Sequence, residues 1–294
     1  MQTKARGYIF AILSAVIYGC MPVMAKYIYA EGVNSLTLVF LRNLLALPIL
    51  ALLMIKEKKL ALYTPRTVLK SIVPALFGCV ITPLLLFSSY NYLDSGVSTV
   101  FHFIYPCIVL LIGIIFLKKK FDYTTPLSVL ICLVGIMLFY DPTQSISAAG
   151  SALALISGLT FAIYVSTLSR FQTDGFSGFT FCFYVAMWSS IILMIVCLVS
   201  GQLMLPETVL GWALCALFAL SVTVGAVFLF QQGTMIIGGE KSSVLSALEP
   251  ITSVVIGIIV FGESCRLTVI IGAMLVIISS VLIASADLLK KNKQ

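Results

Sequence analysis

The chain has 294 residues, of which 61% are hydrophobic and 10% charged, and its formal net charge is +7. A mean hydropathy of +1.13 is too apolar for a soluble globular domain and is typical of a membrane-embedded protein. The basic residues are spread over many short connecting segments rather than gathered on one face, which argues against a nucleic-acid partner. The composition therefore predicts a multi-pass membrane protein.

A membrane-crossing helix needs about 20 mainly apolar residues. We count ten candidate segments, of which the fifth is short, and the segments between them are too short for a soluble domain. We therefore predict an all-α membrane protein with ten transmembrane helices. In chain order they are Tyr8 to Tyr29, Ser35 to Ile55, Ser71 to Tyr92, Val97 to Leu117, Leu127 to Tyr140, Ala148 to Leu168, Gly178 to Val199, Val209 to Phe230, Ser242 to Phe261 and Val269 to Leu288.

The sequence repeats itself once. Val97 to Leu117 aligns without a gap with Lys241 to Phe261, at an offset of 144 residues. A second alignment, at an offset of 143 residues, pairs Gly7 to Tyr27 with Gly150 to Arg170. Each half holds five predicted helices, an odd number, so the second half must enter the membrane from the opposite side. Two inverted repeats are the layout of many secondary transporters.

The basic residues indicate the orientation, because cytoplasmic loops carry an excess of Lys and Arg. With both termini cytoplasmic, 15 of the 18 basic residues fall on the cytoplasmic side. We therefore predict cytoplasmic termini, five-helix repeats at residues 1–141 and 147–290, and a multi-pass location in the inner (plasma) membrane. The 15 residues are Lys4, Arg6, Lys56, Lys58, Lys59, Arg66, Lys70, Lys118, Lys119, Lys120, Arg170, Lys241, Lys290, Lys291 and Lys293.

Short motifs in both halves add a family resemblance. They are Tyr18-Gly19 and Ala25-Lys26, then Phe40-Leu41-Arg42, the small-residue run from Ser98 to Pro106, and Leu248-Glu249-Pro250 followed by Phe261-Gly262-Glu263. In this order they resemble the EamA family of the drug/metabolite transporter superfamily. One departure is Leu117-Lys118-Lys119, where the family usually has Leu-Gly-Glu.

The resemblance implies two intertwined five-helix bundles around a central cavity. It also implies export or exchange of small metabolites, often amino acids. We therefore expect a secondary transporter that moves an amino acid or a related compound by alternating access. The alternative is an ion or solute channel, or a membrane scaffold, without coupled transport.

Polar residues inside a span are costly and usually face protein or a water-filled cavity. In the ninth segment, Ser246, Glu249 and Ser253 fall at helical spacing and share one face with Ser242. The residues 144 positions earlier lie in the fourth segment and form a second polar stripe along the helix. We expect the two polar stripes to face each other near the middle of the membrane. We predict a path lined by the first, fourth, sixth and ninth helices. The other stripe residues are Ser98, His102 and Tyr105, with Ser14, Tyr18 and Pro22, and with Ser157, Thr160, Tyr164 and Thr167.

Each candidate for substrate binding has a structural alternative. Glu249 lies near mid-span, so it is protonated, paired or wetted by the cavity, or else it bonds backbone freed by Pro250. His102 could titrate near neutral pH or simply pack. Arg42 could bind a substrate carboxylate in a bidentate manner or tie two helices together. Pro106 and Pro250 are predicted hinges or plain kinks. The remaining candidates, which could equally be packing residues, are Tyr105, Ser246, Ser253, Ser98, Tyr164, Tyr18 and Trp188.

No cofactor or metal is expected. Seven of the eight cysteines lie in apolar segments, none forms a C-x-x-C pair, and the chain has one histidine. Hydrolase motifs such as H-E-x-x-H and G-x-S-x-G do not occur, so we predict that the protein is not an enzyme. The expected partners are a small-molecule substrate and the lipid bilayer, with protons as a candidate coupling ion, and either a monomer or a homodimer fits.

Overall fold

The computed structural model describes residues 2–56, 65–93, 95–118, 123–140, 147–171, 178–261 and 266–291. Across these ranges the regular secondary structure is helical, as predicted. The described residues form ten helical stretches, named α1 to α10. Nine helices of this described part are long and apolar enough to cross a membrane, whereas α5 has 14 residues.

Several of the ten stretches consist of shorter helical pieces. In the first half, α1 is Gln2–Gly19 with Met21–Ala30, α2 is Ser35–Leu44 with Leu47–Lys56, α3 is Pro65–Lys70, Ile72–Pro74, Ala75–Ile81 and Thr82–Ser89, α4 is Ser95–His102 with Tyr105–Ile115, and α5 is Thr124–Met137. In the second half, α6 is Ala148–Phe171, α7 is Gly178–Ser200, α8 is Val209–Phe218, Ala219–Val227 and Phe228–Ile237, α9 is Gly239–Leu245 with Leu248–Phe261, and α10 is Leu267–Lys291.

The interruptions occur at equivalent places in the two halves. α4 is broken just before Pro106 and α9 just before Pro250, because proline lacks the N–H that would continue the helix. α3 and α8 each contain a π-helix, and the two π-helices begin at Ala75 and Ala219, 144 residues apart. The backbone therefore follows the repeat found in the sequence.

Close packing of two glycines shows the same relation. A Cβ built on Gly7 would lie 2.6 Å from Ile237 Cγ2, so α1 lies directly against the end of α8. A Cβ on Gly150 would lie 2.7 Å from Leu93 Cγ, so α6 lies against the end of α3. Gly7 and Gly150 are repeat counterparts at an offset of 143, and Leu93 and Ile237 are counterparts at 144. Both contacts need glycine because any side chain would collide.

The main helix contacts cross from one half to the other. α1 packs against α8 and α9, and α6 makes the equivalent contacts with α3 and α4. α2 packs against α7, and α5 against α10. The halves are therefore intertwined in one bundle rather than folded side by side. The repeat boundaries at 1–141 and 147–290 stay a prediction, since residues 141–146 lie outside the described part of the chain.

Contacts between helix ends define the two sides of the bundle. The start of α1 and the end of α8 meet at Gly7 and Ile237, and we call this the N-terminal side. On the opposite side, Asn34 Nδ2 at the start of α2 donates to Gln202 O after α7, over 2.7 Å. The hydroxyl of Thr208, the N-cap of α8, donates there to Glu31 at the end of α1.

The outer surface of the bundle is apolar. Val199, Val209 and Ile259 are 84%, 88% and 76% exposed, as expected for side chains in contact with lipid rather than water. The buried core includes Tyr105, Tyr164 and Phe230, which come from both halves.

Candidate functional site

A cavity with about 500 Å³ of empty space, counted with its open mouth, lies where α1, α2, α3, α4, α6, α8 and α9 meet. The two broken helices contribute the residues next to their breaks, and the C-terminal half of α3 contributes one wall. Its lining combines a guanidinium group and a carboxyl group with several aromatic rings. The lining residues are Tyr18, Met21, Arg42, Gly78, Thr82, Pro83, Leu86, Phe87, His102, Tyr105, Phe161, Phe230, Ser246 and Glu249.

This cavity brings together six of the ten residues that we singled out as substrate-binding. They come from four different helices, and both charged candidates are among them. The six are Glu249, His102, Tyr105, Ser246, Tyr18 and Arg42.

The other four candidates do not line this cavity. Ser253 Oγ donates to Gly19 O over 2.8 Å and joins α9 to α1. Trp188 Nε1 donates to Val68 O over 3.2 Å and joins α7 to the start of α3. Ser98 is fully buried, and its hydroxyl has no hydrogen-bond partner among the described residues. Tyr164 is 2% exposed and packs behind the cavity, with its ring against Gly78.

The polar residues of α9 lie at different positions along the helix axis. Ser242 and Ser246 belong to the turns before the break between Leu245 and Leu248, and Glu249 and Ser253 belong to the turns after it. Ser242 accepts a hydrogen bond from Thr234 over 2.8 Å and lies away from the cavity. Only the residues beside the break face the empty space.

Arg42 supplies the positive charge. It is 4% exposed, and its Nε has no hydrogen-bond partner among the described residues. A buried guanidinium with an unused donor is costly unless a ligand or a neighbour satisfies it. Its position in the cavity wall makes it a ready site for a carboxylate.

Glu249 supplies a carboxyl group. It follows the break in α9, and its side chain is partly exposed to the cavity. Tyr18 lies within electrostatic range of both Arg42 and Glu249. The guanidinium of Arg42 and the carboxyl group of Glu249 therefore line the same cavity.

Aromatic rings and one hydrogen bond pack together in the part of the cavity nearer the N-terminal side, since Phe230 and Ser246 lie seven residues from Ile237 and Gly239. The hydroxyls of Tyr105 and Ser246 are hydrogen-bonded to each other and join α4 to α9. The Phe161 ring lies 4.7 Å from the Tyr105 ring and 5.5 Å from the Phe230 ring, measured between centroids. These four residues form a floor.

His102 belongs to the wall rather than to the floor. Its Nδ1 is 2.8 Å from Ser157 Oγ, so it is held by α6. The imidazole is 6% exposed, and its centroid is 5.3 Å from the Tyr105 ring. The hydrogen bond through Nδ1 leaves Nε2 as the ring atom free to meet other groups.

Sequence reasoning missed several lining residues. Phe161, Phe230, Leu86 and Thr82 were not singled out, because apolar and threonine side chains do not stand out in an apolar span. The repeat could have found some of them. Leu86 and Phe230 are counterparts at the 144 offset, and Tyr18 and Phe161 are counterparts at the 143 offset.

Within the ranges that the structure describes, no three His, Cys, Asp or Glu side chains come together as metal ligands would. The expectation that no metal or cofactor takes part stays a prediction.

Comparison with known proteins places the chain in a family. The profile of the EamA-like transporter family matches residues 5–141 and 148–285. The chain belongs to the EamA-like transporter family. The resemblance noted from the sequence motifs is thereby confirmed.

Two relatives match almost the whole chain. An uncharacterized transporter of Clostridium kluyveri is 22% identical and aligns over 96% of this chain and 94% of its own length. The uncharacterized inner membrane transporter YicL of Salmonella typhimurium is 26% identical over 98% of this chain and 97% of its own. One solved crystal structure superposes with a TM-score of 0.74 over 99% of both chains, at 14% identity, which is a likeness of fold.

The EamA match in two segments and the apolar helices together define a multi-span membrane protein of the EamA transporter type. The relatives that match the full length are named transporters, which points to a protein that is not an enzyme.

Proposed function

We propose that this EamA protein is a secondary transporter that moves a small zwitterion, an amino acid or a related compound, by alternating access in export or exchange. The observation that carries the proposal is the cavity in which Arg42 and Glu249 face a common space. A carboxylate fits the unused guanidinium donor of Arg42, and an ammonium group fits the carboxylate of Glu249.

The aromatic lining suggests which part of the substrate lies deeper. The rings of Tyr105, Phe161 and Phe230 form an apolar floor. An apolar or aromatic side chain can pack on these rings while the charged groups of the ligand stay with Arg42 and Glu249. The remaining proposed substrate contacts are Tyr18, His102 and Ser246. Ser253, Ser98, Tyr164 and Trp188 are proposed as supporting residues, since each packs behind or beside the lining.

A carrier explains the cavity better than a channel does. Arg42 and Glu249 are single residues from different helices rather than rings of charge around a pore, and packed aromatic rings lie on the N-terminal side of them. We further propose that all ten helices cross the inner membrane with both termini in the cytoplasm, so that the cavity faces outward. Pro106 and Pro250 are the proposed hinges, and the oligomeric state is proposed to be a monomer or a homodimer.

The proposal is tested by ligand binding to the purified protein. A ligand that binds the native state raises the apparent unfolding temperature. We expect phenylalanine to raise it, and phenethylamine and 3-phenylpropionate, which each lack one charged group, to raise it much less. Arg42→Gln should remove the response to phenylalanine, whereas Lys26→Gln, at an exposed position outside the cavity, should keep it.

Transport in proteoliposomes separates a carrier from a channel. Uptake of labelled substrate through a carrier saturates and is accelerated by unlabelled substrate on the other side. Uptake that rises without saturation and shows no such acceleration would contradict the proposal and favour a channel.

A further inference from the structure

The lining residues of the cavity form pairs under the sequence repeat. His102 and Tyr105 in α4 correspond to Ser246 and Glu249 in α9 at the 144 offset. Leu86 corresponds to Phe230 at the same offset, and Tyr18 corresponds to Phe161 at the 143 offset. Eight of the lining residues are thus four pairs of counterparts.

One member of each pair belongs to the floor. We call Tyr105, Phe161, Phe230 and Ser246 the floor set, and their counterparts Glu249, Tyr18, Leu86 and His102 the roof set. Phe230 and Ser246 each lie seven residues from a helix end on the N-terminal side, at Ile237 and Gly239. In the roof set, Leu86 and His102 lie three and seven residues from Ser89 and Ser95, at the opposite side.

The two sets make different contacts in this structure. In the floor set, Tyr105 bonds Ser246, and Phe161 packs between Tyr105 and Phe230. In the roof set, His102 is bonded to Ser157 of α6, while the Glu249 side chain is partly exposed to the cavity. Two halves with the same backbone therefore hold two different arrangements of side chains.

Exchanging these two arrangements produces the other state of the protein. Inverted repeats rock against each other around a fixed site, and packed interfaces switch between discrete arrangements. Under this exchange position 105 takes the role of position 249, and position 246 takes the role of position 102. The contact between Tyr105 and Ser246 becomes a contact between Glu249 and His102.

We propose that Glu249 and His102 bond each other when the cavity opens to the N-terminal side, with the imidazole N–H donating to the carboxylate and the roof set closing the opposite side. In the present state Glu249 faces the cavity and can hold a cationic group of the substrate. In the other state His102 competes for that same carboxylate and so favours release. This inference rests on the alternating access proposed above.

Cysteine cross-linking tests the exchange. The full chain, with its eight native cysteines replaced, carries His102→Cys together with Glu249→Cys in membrane vesicles. A short bifunctional thiol reagent is added, and the cross-linked fraction is measured by mass spectrometry. Adding Tyr105→Phe removes the bond to Ser246 that holds the floor and keeps the ring. The ratio of cross-linked to free protein should rise about fivefold, since one hydrogen bond contributes about 1 kcal/mol.

Tyr29→Phe is the matched control. It also removes one buried hydroxyl, but that hydroxyl has no hydrogen-bond partner among the described residues and does not line the cavity. The cross-linked ratio should not change with it. An equal rise with both variants would show a general loosening and would overturn the proposed pairing.

A single-cysteine variant, Phe230→Cys, separates this inference from the proposed function. If Tyr105→Phe makes Phe230→Cys accessible to an impermeant maleimide from the N-terminal side while the 102/249 pair does not cross-link more, alternating access stands and the pairing is wrong. If Phe230→Cys is never labelled from the N-terminal side, alternating access itself is wrong.

Discussion

α4 and α9 have the same broken backbone but carry different chemistry at equivalent positions. Beside its break α4 has His102 and Tyr105, whereas α9 has Ser246 and Glu249. The acid has no acidic counterpart. Arg42 in α2 also has no charged counterpart, because the residues 143 and 144 positions after it are Val185 and Ala186.

This difference separates two tasks. The backbone breaks, the π-helices and the glycine contacts occur twice, so they suit a motion in which the two halves exchange conformations. Arg42 and Glu249 have no charged counterparts in the other half, so under the proposed function they would recognise a ligand that has two unlike ends. A zwitterion bound between Arg42 and Glu249 would keep one orientation in the cavity while the helices around it move.

The inverted arrangement itself makes the largest, all-or-none prediction. A cysteine placed at Lys58, in the connection after α2, should react with an impermeant maleimide only from the cytoplasm, and Gln202→Cys only from outside. The Lys58 position lies outside the described residues, so the expectation rests on the basic-residue count. Labelling of both positions from one side would show that the two halves are not inverted in the membrane.

Replacing Glu249, which has no acidic counterpart in α4, should have the next largest effect. Glu249→Gln keeps the shape of the side chain but removes ionisation. Loss of one partner of a buried charge pair costs about 2–5 kcal/mol, so the affinity for a zwitterion should fall about 30-fold or more. Affinity is measured by titration calorimetry or by the shift in unfolding temperature. Glu207→Gln, an exposed acid after α7, is the control and should bind as the wild type does.

The same variant tests proton coupling. We expect Glu249→Gln to lose the pH dependence of transport, or transport altogether if the substrate carries a net positive charge. Transport rates that match the wild type from acid to neutral pH would show that the carboxylate is structural and that protons do not move through it.

Alanine substitutions at the two glycine contacts should have the smallest effect, and the effect should be similar in the two halves. Gly7→Ala and Gly150→Ala each force a methyl group against a neighbouring helix, at 2.6 Å and 2.7 Å. Overpacking of this kind costs about 1–3 kcal/mol, so both variants should lower the thermal unfolding temperature by similar amounts. Gly225→Ala is the control, because its nearest atoms lie 3.6 Å away. Unequal losses at the two positions would show that the halves do not pack equivalently.

The sequence predicted the fold well because apolar length and repetition are strong signals. The helical segments, the 144 offset and the interruptions near Pro106 and Pro250 all appear in the structure. Pro106 marks the break to within a few residues, since a missing N–H acts on the turn before it. The extra residue in each π-helix has no such marker, and the sequence gives no sign of it.

The site could be predicted only in part. Charged and polar residues such as Arg42 and Glu249 are visible because they are rare in a span. Phe161 and Phe230 resemble ordinary packing until the fold places them beside Tyr105. Ser253 shares a helix face with Glu249 but lies one turn further along α9, where its hydroxyl donates to Gly19 O instead of lining the cavity.

The π-helix at Ala75–Ile81 makes the number of residues in α3 important for the orientation of the side chains that follow it. One residue turns an α-helix by about 100°, so the added residue sets which face the following turns present. Thr82, Leu86 and Phe87 face the cavity beyond it. A deletion of a single residue in this segment would keep the helix and its apolar character but would rotate the wall away from the ligand. In this span the number of residues, and not only their identity, therefore determines which side chains line the cavity.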